Sequence, residues 1–201
     1  MPRIARIIDS SGGCYHITTR GNNRQLVFHD DRDKFVFLCC LAAAKKKFVF
    51  KIFHYVLMDN HVHMVLSPND GRELKLIMKA INLTYSLEHK KKYGRTGHLW
   101  ESRYDSRIVR HDRYMLEAGI YDELNPIRAN MVVSPGDYRW SSYEFNSFGV
   151  HSRLLDKSPA FLSLGDSDSE RRAAYKLLVE MVKDRGLSPR KLDRGLSPRY
   201  A

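Results

Sequence analysis

FVFKIFHYVLMDNHVHMVLS, running from Phe48 to Ser67, is the stretch that decides the fold. Phe48 to Leu57 is rich in β-branched and aromatic residues and reads as a strand, Met58-Asp59-Asn60 is turn-like, and His61 to Ser67 is strand-like again. The two strands pair as a hairpin. Side chains on a strand alternate between its faces, so His61 and His63 share one face. The rest of that strand is apolar (Val62, Met64, Val65, Leu66), and two imidazoles on one of its faces call for a reason.

Working outward, Cys14 to Thr19 is a strand ended by the turn-like Arg20-Gly21-Asn22-Asn23. Asp30 to Lys47 is a helix with carboxylates in its first turn and Lys45-Lys46-Lys47 in its last, as the helix dipole favours. Leu74, Ile77, Met78, Ile81 and Tyr85 recur at helical spacing, which predicts a helix over Gly71 to Tyr93 that stops at Gly94. A further strand is expected over Tyr104 to Arg110. Asp112 can cap a helix to about Leu124, and Pro126 ends or kinks it beside Asn125. The order β-α-β-β-α-β followed by a helix predicts an α+β protein. Its core is a ferredoxin-like antiparallel sheet of four to five strands with helices on one face, joined by the helix after Asp112 and a helical C-terminal extension.

The composition changes after about Val150, so we expect one domain over 1–150 and an extension over 151–201. Ser167 and Glu170 form a capping box that opens a helix through Lys183. Beyond it Asp184 to Arg190 is repeated at Asp193 to Arg199, a Gly-, Pro- and Arg-containing stretch that reads as a mobile basic tail.

A chain of 201 residues, 43% hydrophobic, holds one well-cored domain and an appendage. Its net charge of +11 favours a polyanionic partner, because neutralising phosphates releases counterions. No basic amphipathic helix flanks an apolar anchor, so nucleic acid is preferred over a membrane surface. Cys14, Cys39 and Cys40 lack any C-x-x-C spacing and read as reduced core residues. Met1 to Arg6 leads into no apolar segment, and the longest apolar run, Phe35 to Ala44, lies between Lys34 and Lys45 and is about half a membrane span. These features predict a cytoplasmic, soluble protein.

On the helix after Asp112, Leu116, Ile120 and Leu124 form one apolar stripe, while Tyr114, Ala118, Tyr121 and Asn125 lie along a different face. Tyr121 read alone is a half-buried aromatic and Asn125 a cap before Pro126. Packed beside the His61–His63 strand, the same residues make a site for a divalent cation with a phenol next to it. Imidazole and amide donors suit Mg²⁺ or Mn²⁺. The phosphate-cradling G-x-x-x-x-G-K-[ST] motif is absent from the sequence, so phosphoryl chemistry here would use no nucleotide cofactor. Attack by tyrosine on a phosphodiester meets that condition, since it exchanges one diester for another. A phenol of pKa near 10 needs help to attack.

His61-Val62-His63, then Tyr121 and Asn125 in Tyr121-Asp-Glu-Leu-Asn-Pro126, resemble the HUH single-tyrosine transposases, most of all the REP-associated tyrosine transposases. Tyr15 to Arg24, Met58 to His63, Arg95 to Trp100 and Trp140 to Tyr143 look like the same family, so the likeness spans roughly residues 12 to 145. It implies that His61 and His63 hold the metal with Asn125 as third ligand. It also implies that Tyr121 attacks single-stranded DNA beside imperfect hairpins, keeping a 5′-phosphotyrosine and releasing a 3′-hydroxyl. Members act as monomers or homodimers. Some have a carboxylate or Gln at the third ligand, where this chain has neutral Asn125.

DNA contacts are expected first at Arg20, Asn22 and Arg24, then at Arg95, His98, Trp100 and Arg103. Arginines hold phosphates, and an indole that stacks on an unpaired base contributes about 1–3 kcal/mol; the alternative is a solvated loop with Trp100 packed on the core. Three functions therefore compete: a metal-dependent tyrosine transposase acting on single-stranded DNA, a non-catalytic nucleic-acid-binding regulator, and a metal-dependent hydrolytic nuclease in which water attacks.

Overall fold

The structure, a computed structural model, describes residues 13–110 and 112–185. The strands are β1 (Cys14–Arg20), β2 (Phe50–Met58), β3 (His61–Pro68) and β4 (Asp105–Val109), all antiparallel in the order β2-β3-β1-β4. Helix α1 (Asp31–Lys47) joins β1 to β2, and α2 (Leu74–Tyr93) joins β3 to β4. This is the ferredoxin-like α+β arrangement expected. The first helix starts where Asp30 accepts a hydrogen bond from the Asp33 amide at 2.9 Å, and the second stops at Gly94 with φ +63.

Both faces of the sheet are covered. On one, Phe37 and Leu41 of α1 and Leu74, Ile77, Met78, Ile81 and Tyr85 of α2 pack on Tyr15, Ile17, Val62, Met64 and Leu66. The other carries α3 (Asp112–Glu123), whose Met115, Leu116, Ala118 and Ile120 meet Cys14, Phe53, Val65 and Val109. This double burial explains why β3 reads as almost continuously apolar. The polar exceptions, His61 and His63, sit at its start, on the face that α3 covers.

After α3 come the short helices α4 (Asn125–Arg128), α5 (Tyr143–Phe148) and α6 (Pro159–Leu162), then α7 (Asp168–Arg185). None of α4 to α6 is visible in the periodicity, since each is too short to show one. The capping box forms as expected: Ser167 N donates to Glu170 Oε2 at 3.0 Å and Glu170 N to Ser167 Oγ at 3.2 Å. Tyr175 and Val179 of α7 enter the same cluster as α3, so this helix packs against α3 on that side of the sheet. The tandem repeat read as a mobile tail begins with Asp184 and Arg185, which are the last residues of α7; the rest of it lies outside the described residues, as do residues 1–12. Among the described residues no helix is long and apolar enough to cross a membrane.

A buried polar hub ties α3 to its neighbours. Glu123, 1% exposed, accepts from Ser142 Oγ, from Asn146 Nδ2 at 3.3 Å and from Tyr175 Oη at 2.6 Å, and faces His54 Nδ1 at 3.1 Å. His54 approaches because β2 bulges between Ile52 and His54 and because position 119 is glycine. A Cβ at Gly119 would fall within 2.5 Å of His54 Nδ1. Helix propensity alone favours Gly119→Ala by up to about 1 kcal/mol. The clash reverses that sign, and urea denaturation should show a loss of about 1–3 kcal/mol; a gain would mean the ring has room to retreat. Tyr175→Phe leaves Glu123 Oε2 without its donor and should cost about 1–3 kcal/mol in the same assay. A change below about 0.5 kcal/mol would show that α7 is held by apolar contacts alone.

Candidate active site

His61 and His63 stand side by side at the start of β3, their ring centroids 4.9 Å apart and their planes at 80°. In the sheet register Arg20 pairs with His61 and Thr18 with His63. His61 Nδ1 lies 2.6 Å from Asn60 Oδ1, and Asn60 Nδ2 donates to the Arg24 carbonyl at 3.1 Å. That second bond orients the amide, so its oxygen faces His61 and Nδ1 must be the protonated nitrogen. His63 Nδ1 faces Thr18 Oγ1 at 3.2 Å and Asp122 Oδ1 at 3.4 Å. Both contacts suit a protonated Nδ1. Each ring is thereby left with an unprotonated Nε2, the form an imidazole needs to bind a cation.

The electrostatics agree. Burial, then the neighbouring His63 and Arg20, push the His61 pKa down to about 3. Burial lowers His63 as well, against the pull of Asp122. Both rings are neutral at neutral pH.

Beneath them lies a pair that sequence reasoning missed. Asp122 of α3 is 0% exposed, and its Oδ2 sits 2.8 Å from Nε2 of the buried His16. Burial opposes charge on both groups, but each outweighs it for the other: Asp122 is held below the usual carboxylate range and His16 is raised. The His16 ring stacks on His63 with centroids 5.8 Å apart. His16, His63 and Asp122 present ligand-capable atoms all within 4.8 Å of one another. His16 shares its face of β1 with Thr18 and Arg20, but which strand would lie alongside was not legible.

Tyr121 precedes Asp122 on the helix and is half-buried. The Arg128 guanidinium lies 3.8 Å from the centre of its ring, and Nη1 of that arginine donates to the Tyr121 carbonyl at 2.7 Å. This contact was also missed, because it joins α4 back to α3 across Pro126. Asn125 is half-buried, and its Nδ2 is buried without a hydrogen-bond partner. The two ends of an amide are interchangeable in such an assignment, so Asn125 can equally present its oxygen there. The contact of Asp122 with His63 seats the C-terminal end of α3, where Tyr121 immediately precedes Asp122, against β3; Asn125 opens the next helix, α4.

The two segments expected to meet DNA are held against each other. Asn22 N donates to the Leu99 carbonyl at 2.8 Å, Glu101 N to the Arg20 carbonyl at 2.9 Å, and Gln25 Nε2 to the Leu99 carbonyl at 2.9 Å. Arg20, Arg24, Arg95, His98 and Arg103 are exposed, and Asn22 is half-exposed. Asn23 and Arg24 adopt φ of +50 and +58, which sharpens the turn. Trp100 is turned inward: Nε1 donates to the Asn82 carbonyl at 3.1 Å, and the indole packs near Phe37 and Tyr85.

Comparison with known proteins gives a family match for the chain. The family model described as "Transposase IS200 like" matches residues 10–118, which include all four strands and the histidine pair and end before Tyr121. Among solved structures, a REP-associated tyrosine transposase bound to a REP hairpin superposes with a TM-score of 0.62. It is 16% identical, over 79% of this chain and 96% of that one, and this likeness shows the fold. No curated protein matches.

The protonation states are open to direct measurement. In an NMR titration of the histidine rings, His61 should show no protonation step between pH 8 and about pH 5, and His63 should titrate below the 6.5 of an unperturbed ring. His16 should titrate above that ordinary value. A midpoint near 6.5 for His61 would contradict its burial and its neighbours.

Proposed function

The chain belongs to the IS200-like transposase family, and from that premise we propose that it is a DNA strand transferase. On this reading it cuts and rejoins single-stranded DNA next to hairpins, with Tyr121 as nucleophile. His61, His63 and Asn125 would hold one Mg²⁺ or Mn²⁺. The observation that supports this best is the pair of imidazoles held side by side, each with a polar partner at Nδ1, with the helix of Tyr121 seated against their strand through Asp122. The donor set fits a divalent cation: two neutral imidazoles, and an amide whose buried polar end lacks a partner. When bound, the cation would polarise the scissile phosphate.

The chain's own residues supply the rest of the step. Tyr121 Oη gives up its proton and forms a bond to phosphorus while the P–O3′ bond breaks, leaving a 5′-phosphotyrosine; the departing O3′ takes up a proton, so that overall one proton passes from phenol to 3′-hydroxyl. One phosphodiester replaces another, so no nucleotide cofactor is needed. Arg128, stacked on the phenol and bonded to the Tyr121 carbonyl, restricts how the ring can swing.

Arg20, Asn22, Arg24, Arg95, His98 and Arg103 form a cationic and polar rim for the strand, with Arg20 beside His61 in the sheet. Trp100 supports that rim from below. The solved neighbour is bound to a REP hairpin, and that favours hairpin DNA as the substrate class here too. We assign catalysis to residues 1–150, acting in the cytoplasm as a monomer or homodimer. The extension after 150 would serve as a buttress through α7.

Incubation with Mn²⁺ and a labelled single-stranded hairpin oligonucleotide, resolved on a denaturing gel, tests the reading. The expected result is a labelled protein-sized adduct that disappears with EDTA and in Tyr121→Phe, while that variant still binds the hairpin within about twofold. Cleavage surviving Tyr121→Phe would identify a hydrolytic nuclease. Binding without cleavage, in every hairpin tried, would identify a regulator.

A further inference from the structure

Asp122 is an expensive residue where it stands. A carboxylate with 0% exposure loses its hydration, and a buried ion pair is commonly no more stable than well-packed apolar residues of the same volume. Its helical neighbours Ala118 and Ile120, also 0% exposed, show what an apolar choice at this interface looks like. The pair is not ideally bonded either. Neither Asp122 oxygen nor His16 Nε2 has a well-directed hydrogen bond, although the His16–Asp122 contact is only 2.8 Å. Fold stability alone does not account for this arrangement.

The geometry suggests a different purpose. The two nitrogens of an imidazole face away from each other, so a group that meets Nδ1 lies behind the ring as seen from Nε2. Asp122 Oδ1 meets His63 at Nδ1, at 3.4 Å, and shares that nitrogen with Thr18 Oγ1 at 3.2 Å. His16 meets the other carboxylate oxygen and stacks on the His63 ring. Asp122 is therefore behind His63, clamped from its far side by His16. His61 has a matching support in Asn60, at 2.6 Å from its Nδ1.

We propose that Asp122 is a positioning residue for this site. Its carboxylate, 3.4 Å from His63 Nδ1, favours the proton on that nitrogen, whose hydrogen-bond partner is Thr18 Oγ1, and so leaves the Nε2 lone pair for a divalent cation, with His16 holding the carboxylate in place. This rests on the reading of His61 and His63 as cation ligands. Because Asp122 follows Tyr121 in the chain, the same contact also sets the helix that carries the nucleophile against the strand that carries the ligands. Carboxylates behind ligating histidines contribute about 10- to 100-fold in metal affinity.

Two readouts on the full chain test the proposal. The first needs no metal: long-range ¹H–¹⁵N correlations of the histidine rings should show His63 protonated at Nδ1 in the wild type and shifted toward Nε2–H in Asp122→Ala. A wild-type His63 protonated at Nε2 overturns the proposal whatever the variants do. The second is calorimetric titration with Mn²⁺ alone. Asp122→Ala should bind about 10- to 100-fold more weakly, and Asp122→Asn, which keeps an acceptor oxygen, should recover most of that loss. Equal losses in both variants would overturn the hydrogen-bonding role in favour of direct ligation. His61→Ala separates the two levels of the argument. If it abolishes binding while Asp122→Ala binds like wild type, the positioning role falls and the cation site stands. If Mn²⁺ binding ignores His61→Ala too, the cation reading itself has failed.

Discussion

Everything in this molecule depends on how α3 is seated beneath the sheet, and two consecutive buried carboxylates seat it. Asp122 reaches toward β1 and β3, through His16 and His63. Glu123 reaches toward β2, α5 and α7, through His54, Asn146 and Tyr175. An apolar interface lets a helix slide or rotate at small cost, because dispersion and the hydrophobic effect are not directional. A buried carboxylate does not, since losing a partner leaves an uncompensated polar atom out of water. The two side chains fix both the rotation and the register of the helix that carries Tyr121.

The sheet divides the labour between its faces. One side, with α1 and α2, is a conventional apolar core in which the large side chains are fully buried. The other side mixes apolar packing with the polar hubs, and the histidine pair lies at its edge, where β1 ends in the exposed turn that carries Asn22 and Arg24. A sheet behind the site and an exposed polar turn in front of it suit the proposed chemistry on a flexible polyanion.

Much of the fold was legible in advance. The apolar runs with β-branched residues marked β1, β2 and β3, and Leu74, Ile77, Met78, Ile81 and Tyr85 marked α2, because those patterns arise from one element meeting one core. Asp30, Gly94 and the Ser167–Glu170 pair marked element ends, since capping is local chemistry. His61 and His63 were readable for the same reason: period-two alternation places them together whatever surrounds them. The short helices α4 to α6 were not, and the choice between an outward and a core-packed Trp100, both open in the sequence, depends on Asn82, Phe37 and Tyr85 being nearby.

By itself, then, the sequence determined the succession of elements and the two imidazoles on one strand face, because each follows from the repeat geometry of a single element; Tyr121 and Asn125, expected on one helix, fall on the successive helices α3 and α4. Only the tertiary structure decided what stands behind those groups. His16 and Asp122, far apart in the chain, become an ion pair under His63. Arg128 folds back over Tyr121, and Gly119 admits the His54 ring so that Glu123 can anchor α7 through Tyr175. The physical reason is that hydrogen bonds and ion pairs act over a few ångströms in space and leave no period in the sequence.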